Sequence, residues 1–263
     1  MKKIKTEELK AIQLNIMSII SNFCYENNIE YFLSYGTLIG AIRHNGYIPW
    51  DDDIDICMSR YDYERFIFLF NKNNSRYKVI EHRINNQYKL PFAKVLDTNT
   101  IMHEDMYIKD NFGVYIDIFP IDGIKSTKQI NQSIFFNKLL NTKRAAINNP
   151  KRSIFKRVIL SIGKIIIYPI SIHYLLDKIT KIATIKSYED SKYVANIVSP
   201  YGKCEIMPKE YFKEFYTHKF EDRFFKIPKE YDKYLKCIYG DYMQLPPIEQ
   251  QVTHHSFKAW WKE

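Results

Sequence analysis

The sequence predicts an α+β fold, a mixed β-sheet core flanked by helices with an inserted basic helical region. Three observations carry this. Leu9, Ile12, Ile16, Ile19, Ile20 and Phe23 recur at helical spacing near the start. Short apolar runs bounded by turn residues then follow to about residue 124. A long Lys/Arg-rich stretch beyond them returns to bulky aliphatics in helix-length segments.

Each element has a local reason. The first periodic stretch predicts an amphipathic helix over residues 6–26, ended by Asn27-Asn28. Tyr31–Ser34 reads as a short strand, followed by Gly36 and a short helix from Leu38 to His44 that Asn45-Gly46 closes. Residues 52–58 alternate acid and apolar side chains and read as a strand. Ser59 and Asp62 have the spacing of a helix-opening box, which predicts a helix to about Phe70. Tyr77–Arg83 and Leu90–Leu96 read as two strands joined through Asn85-Asn86, and Gly113–Phe119 as a further strand. Residues 126–148 and 153–184 read as helices separated by Asn148-Asn149-Pro150. Lys229–Tyr239 reads as a helix stopped by Gly240, and Leu245-Pro-Pro-Ile248 as extended chain. The expected organisation is a core over 1–124, a basic helical subdomain over 125–200 and a segment over 201–263 that returns to the core.

Composition excludes several classes. With 263 residues, 46% of them hydrophobic, the chain can bury a core without covalent staples. Cys24, Cys57, Cys204 and Cys237 are scattered, which argues against a disulfide framework or a structural zinc site and for a reducing compartment. The start of the chain is amphipathic, not an apolar signal segment. Charge is uneven. Residues 125–186 hold thirteen Lys/Arg against one acid, Asp177, so this stretch carries +12 of a net +9 and the remainder is acidic. Basic charge mixed with Ile134–Phe136, Val158–Ile162 and Ile165–Ile172 suggests contact with an anionic membrane surface, against the plainer alternative of a solvated helical subdomain. The run from Ile154 to Leu176 is interrupted by Lys156, Arg157, Lys164 and Pro169 and makes a poor spanning helix. No nucleic-acid-binding motif accompanies the charge, and no nucleic-acid partner is expected.

The acidic cluster carries the chemistry. In Trp50-Asp-Asp-Asp-Ile-Asp-Ile56, strand alternation would place Asp51, Asp53 and Asp55 on one side and Ile54 and Ile56 on the other. Carboxylates so close repel one another unless a divalent cation lies between them, and oxygen ligands favour Mg2+ or Mn2+. Val114-Tyr-Ile-Asp-Ile-Phe119 puts Asp117 on a second strand, where it would complete a three-carboxylate site with Asp53 and Asp55. Upstream, Gly36 and Thr37 precede a helix N-terminus suited to an anion. Arg43, Arg60 and Lys94 are candidate phosphate clamps. Together, a Gly-Thr turn, a helix and a strand bearing two acids resemble the nucleotidyltransferase arrangement.

The run from Gly36 to Ile56, the segment Tyr115-Ile-Asp-Ile-Phe-Pro-Ile-Asp122 and the tail Tyr239-Gly-Asp-Tyr-Met-Gln-Leu-Pro-Pro247 with His254-His255 resemble the signatures of the LicD family. The resemblance implies a nucleotidyltransferase-like fold. It also implies transfer of a phospho-alcohol, phosphocholine first, from a CDP-linked donor such as CDP-choline to a hydroxyl of a cell-surface glycan or glycolipid, with release of CMP. It carries metal binding and catalysis to Asp53, Asp55 and Asp117. Gly36, Thr37, Arg43, Lys94, Trp50 and His254 are the expected donor-binding residues, with Tyr47, Tyr115, Trp260 and Trp261 as further aromatic candidates for a quaternary ammonium. The expected location is cytoplasmic, with a peripheral contact at the inner face of the cytoplasmic membrane. The alternatives are transfer of phosphoethanolamine, phosphoglycerol or phosphoribitol, addition of a nucleotidyl group from an NTP, and a non-catalytic scaffold.

Overall fold

The computed structural model describes residues 1–73, 76–104, 112–147, 152–253 and 257–263. The chain opens with β1 (Lys3–Ile4) and α1 (Thr6–Glu26), then β2 (Phe32–Leu33), α2 (Tyr35–His44), β3 (Asp55–Ser59) and α3 (Arg60–Asn73). Four strands follow: β4 (Tyr77–Ile80), β5 (Ala93–Asp97), β6 (Thr100–Glu104) and β7 (Tyr115–Gly123). Then come α4 (Thr127–Arg144), α5 (Ile154–Ile166) and α6 (Ile172–Ala183). The last third holds β8 (Tyr193–Ala195), β9 (Met207–Pro208), the hairpin β10 (Phe215–Phe220) and β11 (Arg223–Pro228), α7 (Tyr231–Tyr239) and β12 (Phe257–Trp261). The class is α+β.

The central sheet runs β2-β3-β7-β5-β4, with β8 paired to the far end of β7 and β9 to β8. Only β3 and β7 are parallel, in the register Asp55↔Asp117, and β5 pairs antiparallel with β7 in the register Lys94↔Asp117. β1, β12 and β6 make a separate antiparallel sheet.

The core forms where the patterns lead. α1 buries Leu9, Ile12, Ile16, Met17 and Ile20 along one face, and β7 is buried along most of its length. Phe23 meets Phe66 and Phe70 edge-on at 5.7 and 5.0 Å, joining α1 to α3. Ser59 opens α3 as expected, its Oγ accepting the Asp62 N–H at 3.1 Å. Arg60 then makes a two-armed bond to buried Asp122 at 2.7 and 2.9 Å, so this cation is held away from the acids. All four cysteines are free thiols.

Three expectations are corrected. Helix α2 begins at Tyr35, which places Gly36 and Thr37 inside its first turn. The strand expected over 52–58 begins only at Asp55. Pro49 and a turn in which the Asp51 N–H bonds Ile48 O at 2.9 Å keep the preceding acids in a loop. The helix expected over 153–184 is two helices. Pro169 cannot donate to the ladder and crowds the preceding turn, so α5 ends at Ile166 and Ser171 caps a fresh start at α6, accepting the Tyr174 N–H at 3.0 Å.

Candidate functional site

Asp55, Asp117 and Lys94 lie side by side on β3, β7 and β5, and so form one row on one face of the sheet. Asp117 is paired to the Lys94 ammonium, which also lies 3.3 Å from the centre of the Tyr115 ring. Buried Lys94 reaches a small cavity that it shares with Tyr88, Tyr115 and Arg144 of α4.

Asp55 stands at the edge of the main cleft. Thr37 is buried, and its Oγ1 accepts the Asp55 N–H at 2.8 Å. Ser34 N–H donates to Asp55 O at 3.0 Å, which ties both backbone groups of Asp55 to the start of α2. Burial raises the Asp55 carboxyl well above the usual carboxylate range, the charges of Asp53, Asp117 and Asp51 raise it further, and Lys94 opposes them. The acidic loop is pinned from below by Gln13, whose buried amide donates to Asp52 O at 3.0 Å while its Oε1 accepts the Tyr47 hydroxyl at 3.1 Å.

The cleft encloses about 860 Å³. Asp51, Asp53 and Asp55 line it together with Gly36, Arg43 and Trp50, so five of the expected site residues meet in one space. At Gly36 a Cβ would stand 3.0 Å from Asp51 Oδ2, so a side chain there would press on that carboxylate. Arg43 bridges the cleft to the tail: its Nη1 donates to Tyr242 O at 2.6 Å and to Gln244 O at 3.4 Å, and its Nε donates to His44 Nε2 at 2.9 Å. Partial burial lowers the Arg43 pKa from its ordinary value.

Thr37, Lys94 and Asp117 do not line the main cleft; Thr37 supports Asp55 from the first turn of α2, and Lys94 and Asp117 lie beside it in the sheet. Tyr47 packs against Phe220 at 5.1 Å, Tyr115 lies under Lys94, Trp260 meets His103 at 5.3 Å, and Trp261 Nε1 donates to Glu8 at 2.9 Å. Of the aromatic candidates, Trp50 lines the cleft. His254 lies outside the described residues, as does His255.

Residue-by-residue reading of the sequence missed the far wall, built by Tyr201, Tyr239, Asp241, Tyr242 and Gln244. For all but Tyr201 the signal was the tail motif itself. Gly240 takes φ 66°, a turn that Cβ-bearing residues resist, and it brings Asp241 and Tyr242 back over the cleft. Burial pushes the Tyr201 and Tyr239 hydroxyls above the ordinary phenol range, and Asp55 contributes to both. Behind Tyr201, buried Glu205 accepts the Tyr201 N–H at 2.6 Å and the Tyr35 hydroxyl at 3.1 Å, and burial pushes its carboxyl up to about 8.

The donor set suits a hard divalent cation: three carboxylates on one cleft wall, one of which, Asp55, has its proton affinity raised by burial and by its neighbours' charges. Among the described residues, no three His, Cys, Asp or Glu side chains are already drawn together as a finished metal site. Asp51, Asp53 and Asp55 would approach the ion from the cleft, and Asp117 would join only by giving up part of its bond to Lys94.

The sequence model of the LicD/FKTN/FKRP nucleotidyltransferase domain matches residues 28–163, which include β3, β7 and their acids. Over 268 aligned residues the chain is 33% identical to the lipopolysaccharide cholinephosphotransferase LicD of Haemophilus influenzae, covering 99% of each protein. It is also 34% identical over 125 residues to an uncharacterized protein of Rickettsia typhi, covering 46% of this chain and 38% of that one. A third relative, an uncharacterized protein of Rickettsia prowazekii, is 42% identical over 62 residues, 23% of each chain.

Proposed function

Because the chain belongs to the LicD family, we propose that it transfers phosphocholine from CDP-choline to a hydroxyl of a lipopolysaccharide or related cell-surface glycan, releasing CMP. The single observation that carries this reading is the cleft in which Asp51, Asp53 and Asp55 face Trp50, Tyr201 and Tyr239. Carboxylates on one wall suit a cation-bridged pyrophosphate, and aromatic faces with Asp241 suit a quaternary ammonium. On this reading the core has the nucleotidyltransferase-like fold.

A bound Mg2+ or Mn2+ would neutralise the donor pyrophosphate and draw electron density from the phosphorus under attack. Asp53 and Asp55 would hold that ion. Arg43 would face the departing CMP phosphate with the rest of its guanidinium while Nη1 anchors the tail carbonyls. The ring faces of Trp50, Tyr201 and Tyr239 would seat the alcohol and keep water from the phosphorus. On this reading a carboxylate beside the donor would take the acceptor proton; Asp117 could do so only by loosening its pair with Lys94, which would hold the resulting charge balance.

The test is thermal stabilisation with Mg2+ by CDP-choline, CDP-ethanolamine, CDP-glycerol, CDP-ribitol, CTP and ATP. Preferential stabilisation by CDP-choline is the expected result. A shift produced by CTP or ATP alone would replace the reading with nucleotidyl transfer from an NTP.

A further inference from the structure

Helix α5 presents its polarity the wrong way round for a chain standing alone in water. None of its residues is buried. Ile154, Phe155, Ile165 and Ile166 are 71–79% exposed, and Val158, Ile159 and Ile162 are half-exposed. These seven residues fall on one continuous arc of the helix, spaced at three, four and seven residues. The opposite side, with Arg157, Ser161 and Lys164, is the partly buried one. Arg157 Nε donates to Arg152 O at 3.0 Å, and Gly163 lies near Thr142 of α4. The neighbouring α6 behaves normally, burying Leu175, Leu176, Ile179 and Ile182. Tyr168, just beyond α5, is 82% exposed.

We infer that α5 is a membrane-docking helix that lies in the interface of an anionic bilayer, its aliphatic arc among the acyl chains, Lys156 at the headgroups and the basic side of the helix above them. Among the described residues no helix is long and apolar enough to cross a membrane, and α5 has 13 residues, a length suited to lying flat. Charge selects the occupant. Lys156 is exposed beside the arc, and Arg157 and Lys164 lie behind it with Lys143 and Arg152 close to Lys164, within a stretch of net charge +12. A second copy of the chain would bring the same charge to the same face and be repelled, whereas an anionic lipid surface complements it.

Docking also has a geometric use. Arg144 at the end of α4 lines the small cavity that Lys94 enters, and Lys94 holds Asp117. The membrane helix therefore begins ten residues along the chain from a side chain that shares a cavity with Lys94 of the catalytic row. This part rests on the glycan-transfer reading above and makes the acceptor a lipid-linked glycan, delivered at the bilayer surface; the docking itself does not depend on that reading.

The experiment is co-sedimentation of the full chain, without donor or metal, with vesicles of phosphatidylcholine alone and of three parts phosphatidylcholine to one part phosphatidylglycerol. The double variant Val158→Glu, Ile162→Glu changes two exposed positions in the middle of the arc and leaves the fold intact, which its circular dichroism and melting transition check. The wild type is expected to bind the anionic vesicles at least about tenfold more tightly than the neutral ones, less so at high salt. The double variant is expected to lose at least about tenfold of that binding while keeping its turnover of a water-soluble acceptor. A wild-type chain that stays in the supernatant, or a double variant that sediments as the wild type does, overturns the inference. So does a wild-type dimer that the double variant dissociates, which would make the arc an interface between copies. Vesicle binding is read without CDP-choline, so its failure leaves the donor assay unaffected.

Discussion

The Thr37 hydroxyl accepts the backbone N–H of Asp55 at 2.8 Å, across the junction of α2 and β3. A hydroxyl that the sequence places among the phosphate ligands thus fixes the position of a carboxylate. Thr37→Val leaves the Asp55 N–H without that partner and is expected to lose about 1–2 kcal/mol of stability together with most of the turnover. Thr37→Ser keeps the oxygen and is expected to keep both. Urea unfolding and initial rates of the pair decide the matter; equal activity in the valine variant would show that Asp55 needs no such anchor.

Asp53→Ala and Asp55→Ala are expected to reduce transfer by at least about a thousandfold, a loss of about 4 kcal/mol of transition-state stabilisation, with the fold retained. Both relieve like-charge repulsion in the cleft, so each variant should melt no lower than the wild type without divalent cations. Adding Mg2+ should then raise the melting temperature of the wild type alone. Calorimetric scans with and without Mg2+ test both halves, and turnover close to that of the wild type would remove these residues from the chemistry.

Arg43→Lys keeps a charge but not the planar group whose Nη1 reaches Tyr242 O and Gln244 O while its Nε holds His44 Nε2. Its expected effect is a kcat/KM about tenfold or more lower, close to 1.4 kcal/mol, with faster proteolysis of the tail after Gly240. If the tail is cut no faster and kcat/KM is unchanged, the bridge does not organise the far wall.

The two-armed pair of Arg60 with Asp122 should matter to stability alone. Asp122 is 1% exposed, so Arg60→Ala strands a buried carboxylate and is expected to cost about 3–5 kcal/mol in urea unfolding. Residual folded enzyme should keep the wild-type KM for donor, because Arg60 does not line the cleft. A KM change with unaltered stability would restore Arg60 as a phosphate clamp.

Glu205 gives the pH prediction. Its carboxyl ordinarily titrates at 4.5 and is pushed up to about 8 by burial. Between those values the folded chain keeps a proton that the unfolded chain has released, so this group lowers stability as pH rises through that window and adds no slope outside it. Glu205→Gln removes the titration. Relative to the wild type it should gain on the order of 1–3 kcal/mol between about pH 5 and about pH 8, read from urea midpoints. A wild type whose advantage over the variant grows with pH would mean that Glu205 is charged in the folded chain.

What the sequence revealed depended on how local the determinant was. α1 is found over the residues its periodicity marks, because one apolar face against one sheet is a local pattern. The acids that matter were visible as residue types, but their alternation suggested a strand that Pro49 and the turn at Asp51 do not permit until Asp55. The pairing of Asp117 with Lys94 needed a register between β5 and β7 that no local spacing specifies. The wall formed by Tyr201 and Tyr242 depends on contacts between residues about two hundred positions apart, such as Arg43 with Tyr242. Amphipathicity in α5 was readable, yet periodicity says only that a helix has two faces, not which one meets the protein.

The acidic loop is held from two remote directions. Glu221, at the tip of the β10–β11 hairpin, donates its N–H to Asn45 O at 2.7 Å and accepts the Tyr47 N–H at 2.9 Å, while Arg43 grips the carbonyls near Tyr242. On the ribosome, synthesis runs from the first residue onward, so residues 50–55 emerge long before the segments that clamp them. A nascent chain that ends between about residues 60 and 200 has Asp51, Asp53 and Asp55 but neither the far wall nor the brace. Competence therefore arrives late and all at once, and truncated translation products carry the acids without the enclosure that makes them selective.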